Sequence, residues 1–200
     1  MATQLQPAAT GSSQFLNDDF QQAIARWNHR RLEPTFPGAG WQKDFEEDVR
    51  MMRLEGAFLE EERAAVADRA AEAPSDVDGF IAWFEELLGT GPGQNDPLFH
   101  WLATQAPLEA FKWFLTQEAA GEAGFDDLVA MTQVKVPHSA KMELANNYWD
   151  EMGRGNPKGM HGPMLDGLVD QMALEPEIET TVWESLALAN GMTAMAAKKR

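Results

Sequence analysis

The sequence predicts an all-helical protein, and three observations carry that prediction. Apolar residues recur at three- and four-residue spacing along most of the chain, proline and glycine punctuate those runs, and nowhere do four or more β-branched residues alternate between turn signals. The 44% hydrophobic content, with 7 Trp, 11 Phe and 11 Met in 200 residues, supplies enough apolar side chain for a packed core.

Residues 1–13 are polar and read as a disordered leader, 14–73 as an N-terminal helical arm, and 74–200 as the helical bundle. A first helix starts after a cap at Asn17, Asp18 or Asp19 and runs to about Arg31, with Phe20, Ile24 and Trp27 on one face. Pro34, Pro37, Gly38 and Gly40 make a connector. The stretch from Gln42 to Ala73 is rich in Glu, Arg and Ala and predicts one long, exposed helix ended by Pro74. Ser75 or Asp76 caps the next helix, which carries Phe80 to Leu88 and closes in Gly89, Gly91 and Gly93. That glycine cluster has neither the preceding strand nor the Lys-Ser/Thr of a phosphate loop, so it is read as a turn. Further helices are expected from Pro107 to about Gln133, from Pro137 to about Met152, from Met160 to Met172, and from Pro176 to the end.

Charge and composition exclude several functions. A net charge of -16, with eight of the 16 Lys and Arg in each half, opposes nucleic-acid binding, which needs a positive patch to displace counterions. The absence of Cys removes disulfides, thiolate metal sites and Cys nucleophiles together. No apolar run approaches the roughly 18 residues of a membrane span, and no signal pattern opens the chain, so a cytoplasmic location is expected. Any bound metal must be held by carboxylate and imidazole.

Those donors occur on apolar stripes. In the helix after Pro107, Glu118 follows Leu108, Phe111 and Leu115 at helical spacing, either as a core-facing carboxylate or as a marginal one reaching solvent. In the next helix Glu151 shares a face with Leu144 and Tyr148, beside Asn147, and His161 heads a stripe with Leu165, Leu168 and Met172. A buried carboxylate must be neutralised, hydrogen-bonded or coordinated. Glu118, Glu151 and His161 together are the donor types from which helical bundles build two-metal sites, although no Glu has a His three residues later, as ferritin-like bundles require. The remaining imidazoles, His29, His100 and His138, read as local or surface residues, and Glu175, Glu177, Glu179 and Glu184 as capping or solvent-exposed. Trp83, Trp101, Trp113, Trp149 and Trp183 are read as core filling.

The stretch Phe114-Leu-Thr-Gln-Glu118, followed by Asn146-Asn-Tyr-Trp-Asp-Glu151-Met-Gly-Arg-Gly-Asn-Pro-Lys-Gly-Met-His161, resembles the haem-oxygenase-like non-haem di-iron oxidases, also labelled iron-containing redox enzymes. The resemblance covers about residues 80 to 200. It implies a haem-oxygenase-like helical bundle, incomplete at its C-terminus because the family's later helices, with a further Glu and an Asp/His pair, have no counterpart before Arg200. It implies Glu118, Glu151 and His161 as metal ligands, with Tyr148 and Asn147 as candidates for contact behind them. Two iron ions fill the complete family site; this chain would hold one or none.

Ten residues separate Glu151 from His161, and a straight helix would turn about 1000° over that distance. The Gly153 to Pro157 interruption must therefore rotate the chain if both are to meet one metal. The function so implied is an O2-activating oxidase or oxygenase of a small organic substrate, in a homodimer or with a complementing chain; the rival reading is a metal-free helical binding module. A haem or thiamin-related enzyme on the same bundle fits less well, with only His29 to invoke and no Cys nucleophile.

Overall fold

The computed structural model describes residues 13–36, 38–122 and 124–198, and all regular elements among them are helices. The expected leader falls almost wholly outside these residues. Helix α1 (Asp18–Leu32) is capped by Asn17, whose Oδ1 accepts from Phe20 N at 3.0 Å. Asp18 and Asp19 lie in its first turn and Arg30 and Arg31 in its last, the signs a helix dipole favours. α2 (Trp41–Ala65) and the single turn α3 (Ala67–Ala70) replace the one long helix expected to Ala73, because the backbone leaves helical geometry at Val66. α4 (Val77–Thr90) starts under Asp76, whose Oδ1 accepts from Gly79 N at 2.8 Å.

The sequence reading passed over α5 (Pro97–Thr104), whose signals were the Asp96 cap and a proline in the first turn. It also joined two helices that are separate, α6 (Leu108–Gly121) and α7 (Phe125–Thr132), which part at Gly124 in left-handed geometry with φ 68°. α8 (His138–Glu151) and α9 (His161–Met172) stand where expected. The last helix, α10 (Trp183–Lys198), begins later than Pro176, after a 3-10 turn over Ile178–Thr180.

α10 is the central element, packed against α1, α2, α6 and α7. Its buried face of Leu186, Ala189, Asn190, Thr193, Ala194 and Ala196 is mostly small, which lets neighbouring backbones approach closely. α1 brings Ile24 and Trp27 to a cluster with Met51 of α2, and the packing of α1 and α2 on α10 joins residues 14–73 to residues 74–200. Of the tryptophans expected to fill the core, Trp113 and Trp149 are exposed and Trp83, Trp101 and Trp183 only half-buried; Trp27 is the one that goes inside. α4 and α5 bury no residue, and Phe80, Phe84 and Phe99 remain exposed. No helix among the described residues is long and apolar enough to cross a membrane.

Two polar devices fix α1. Arg31 of α1 reaches Glu55 of α2, a fully buried carboxylate, at 2.7 Å while lying 3.9 Å from the Trp27 ring centroid. Asn190 of α10 donates from Nδ2 to the Gln21 carbonyl at 2.9 Å and to Gln21 Oε1 at 2.8 Å, and its Oδ1 accepts from Asn28 Nδ2 at 2.9 Å. Replacing Asn190 with Leu strips three buried bonds at once and leaves Gln21 and Asn28 without solvent to replace them. Asn190→Leu is expected to cost about 2 to 4 kcal/mol in urea unfolding, whereas a loss below about 0.5 kcal/mol would show that this network does not hold α1 to α10.

Candidate functional site

The segment between α8 and α9 answers the geometric problem posed by the ten-residue spacing. Gly153, Arg154 and Gly155 take three successive positive φ values, 60°, 53° and 81°, and so reverse the chain. Asn156 then accepts from Lys158 N through its side chain, and a 3-10 turn over Pro157–Gly159 leads back. The ends of this loop meet in an isolated antiparallel bridge between Met152 and Met160. Glu151 and His161 are the next residues outward from that bridge, so the backbone itself sets them side by side.

Their side chains meet: His161 Nδ1 stands 2.5 Å from Glu151 Oε2. Glu151 is 8% exposed and His161 is open to solvent, so a buried carboxylate is matched by an imidazole at the surface of the site.

α6 contributes the neighbouring carboxylates. Its docking on α10 is set by buried Gln117, whose Oε1 accepts from Val182 N at 2.8 Å and whose carbonyl accepts from Ser185 Oγ at 2.8 Å. The packed face of α6 therefore passes through Gln117, and Glu118, which periodicity put on the apolar stripe, is exposed. One turn further on, Glu122 lies in the field of the same groups. Partial burial pushes its carboxyl above the usual range, the Glu118 and Glu151 charges add to that, and His161 opposes it. Glu122 was missed in the sequence reading; its signal was the four-residue spacing from Glu118.

Tyr148 is half-buried one turn before Glu151, and Asn147 is exposed; the Glu151 carboxylate pairs with His161. His29 is exposed, as are His100, His138 and the four glutamates at 175, 177, 179 and 184. His29 nevertheless belongs to the wall of a cavity of about 570 Å³ that Glu122, Glu151 and His161 also line. Leu32, Phe125 and Leu165 give that cavity apolar walls, and Asn28, Asn190 and Thr193 a buried polar floor.

The donors suit iron in chemical type, being carboxylate oxygen and imidazole nitrogen, and two of them already touch. Among the described residues, no three His, Asp or Glu side chains converge into a set that could hold an ion. The Glu151 and His161 pair is one edge of the candidate site, and Glu122 lies in the field of Glu118, Glu151 and His161.

The glycine loop makes this edge sensitive to one methyl group. A Cβ on Gly153 would stand 2.4 Å from the Gly159 carbonyl carbon, on a residue whose φ already disfavours side chains. Gly153→Ala is expected to cost about 1 to 3 kcal/mol and to break the Glu151 and His161 contact, read as a displacement of the His161 ring signals by NMR. Unmoved ring signals in a folded variant would show that the loop does not set the pair.

Residues 112–200, from the first turns of α6 through α10, match the family described as iron-containing redox enzyme. No curated protein and no solved structure matches this chain.

Proposed function

We propose that this chain, whose residues 112–200 match the iron-containing redox enzyme family, is a non-haem iron oxidoreductase acting with O2 on a small organic substrate. The observation that carries this reading is the Glu151 and His161 pair, delivered by a closed loop to the wall of a substrate-sized cavity. In the proposal Glu151 and His161 are ligands and Glu118 supplies the carboxylate from α6. Tyr148 and Asn147 steady α8 behind them. Glu122 adds a fourth acidic group. The site would hold two ions where further donors complete it, and one where they do not. Bound iron would supply the O2 activation and the oxidising power that no side chain of this protein can.

The protein's own part is to fix and to shield. Imidazole and carboxylate bind a metal only in their unprotonated forms, so metal uptake here is coupled to proton release. Mutual repulsion among Glu118, Glu122 and Glu151 favours any cation that enters among them. Leu32, Phe125 and Leu165 exclude water from one side of the cavity, and the floor of Asn28, Asn190 and Thr193 can orient a polar substrate group.

A second reading, a metal-free helical interaction module, draws on the lack of a three-donor set among the described residues and on the exposed apolar side chains of α4 and α5. One experiment separates them. Anaerobic Fe(II) titration of the purified chain should show stoichiometric binding that falls by about tenfold or more in Glu151→Ala and in His161→Ala. Binding unchanged in both variants would reject the ligand assignment, and no binding at all by a dimeric wild-type chain would favour the interaction module.

A further inference from the structure

α4 turns a continuous apolar stripe to solvent. At about 100° per residue, Val77, Phe80, Ile81, Phe84 and Leu88 fall within an arc of about 100°, and between 45% and 74% of each is exposed. The rings of Phe80 and Phe84 stack with centroids 6.3 Å apart and an interplanar angle of 15°, so part of the stripe is already ordered for a contact. α5 adds Leu98 and Phe99, also exposed. No residue of α4 or α5 lines the cavity beside Glu151 and His161, so this surface is distinct from the candidate iron site.

The charge beside the stripe selects what can cover it. Asp78 and Glu85 stand on the strip of α4 that adjoins Ile81, both exposed and neither ion-paired with a Lys or Arg among the described residues. Residues 70–111 carry seven Asp and Glu and no Lys or Arg, so all 16 cations of the chain lie elsewhere. A second copy docking through the same face would bring that surface against itself, with no cation of its own to meet the carboxylates. An anionic lipid surface is repelled for the same reason. The complement of this face is an apolar partner that brings the positive charge with it.

We propose that α4 and α5 dock a basic amphipathic helix of another protein. Its apolar residues, three and four apart, pack on Phe80, Ile81, Phe84 and Leu88, while Lys or Arg on its flank meets Asp78 and Glu85. Burial of the phenyl rings supplies the affinity, and the carboxylates set the orientation and turn acidic helices away. The docking asserts nothing about iron and stands whether or not the chain is an oxidoreductase.

The test titrates the full chain into two labelled peptides of about five helical turns, followed by fluorescence anisotropy. Both peptides carry the same leucine stripe, one with Lys and one with Glu at the remaining positions. The Lys peptide should bind at one equivalent, about tenfold more weakly to Phe80→Ser, Phe84→Ser and about fivefold more weakly to Asp78→Asn, Glu85→Gln, while Glu60→Gln, Glu61→Gln on α2 leaves its affinity unchanged; the Glu peptide should not bind. No saturable binding of the Lys peptide, equal binding of both peptides, or a loss in the α2 variant as large as in the α4 variants would overturn the proposal, the last by showing attraction to net charge alone. So would a wild-type dimer in sedimentation that Phe80→Ser, Phe84→Ser converts to monomer, because the face would then belong to a second copy. Should the phenylalanine variant not fold, Asp78→Asn, Glu85→Gln decides, and unchanged affinity there overturns the proposal.

Discussion

The site depends on one backbone event, the closure of the chain on itself between Met152 and Met160. Ten residues of continuous helix would set Glu151 and His161 about 15 Å apart and on different faces. Three consecutive positive φ values and a tight return through Pro157 convert that separation into a 2.5 Å contact. The glycines at 153 and 155 are required by this turn, and the close approach of Gly153 to the Gly159 backbone leaves no space for a side chain. Strain of this kind is stored where a chain must place particular groups, and here it places an acid and an imidazole at a cavity wall.

The bundle around the loop is organised to hold it from both sides. α10 gives α1, α6 and α7 a common small-residue surface, and the bonds of Gln117 to Val182 and Ser185 lock α6 to it. α9 packs on α6 and α7, so the loop that precedes it is anchored at its far end as well. The buried Gln21, Asn28 and Asn190 network does the same for α1, and it also forms part of the cavity floor. The network that fixes α1 is thus continuous with the lining of the cavity.

Much of this was legible in the sequence. Proline, glycine and capping residues marked α1, α8 and α9 closely, and once the family resemblance pairs Glu151 with His161, helical pitch requires a rotation between them. What failed did so for identifiable reasons. Gly124 lies inside an otherwise periodic run, and periodicity cannot tell a tolerated helical glycine from a left-handed break. For Glu118 periodicity left a core-facing and a solvent-reaching position both open, because which side of α6 is buried is decided by Gln117 bonding across to α10, a tertiary contact with no local signal. Trp113 and Trp149 looked like core residues by hydrophobicity, yet the central helix α10 turns a mostly small face inward, and its alanines carry little signal of their own. The acid-lined wall drew residues from α1, α6, α7, α8 and α9, and no reading along the chain could have collected them.

The central claim is that Glu151 and His161 form the edge at which a metal enters, and the imidazoles report on it directly. Adding Fe(II) anaerobically in substoichiometric steps and following the ring protons of the four histidines by NMR would place the ion, since a paramagnetic centre broadens the nearest signals first. The account predicts that His161 disappears first and His29, on the same cavity wall, after it, while His100 and His138 stay sharp. His161 remaining sharp while another histidine broadens, or all four broadening together, would contradict it.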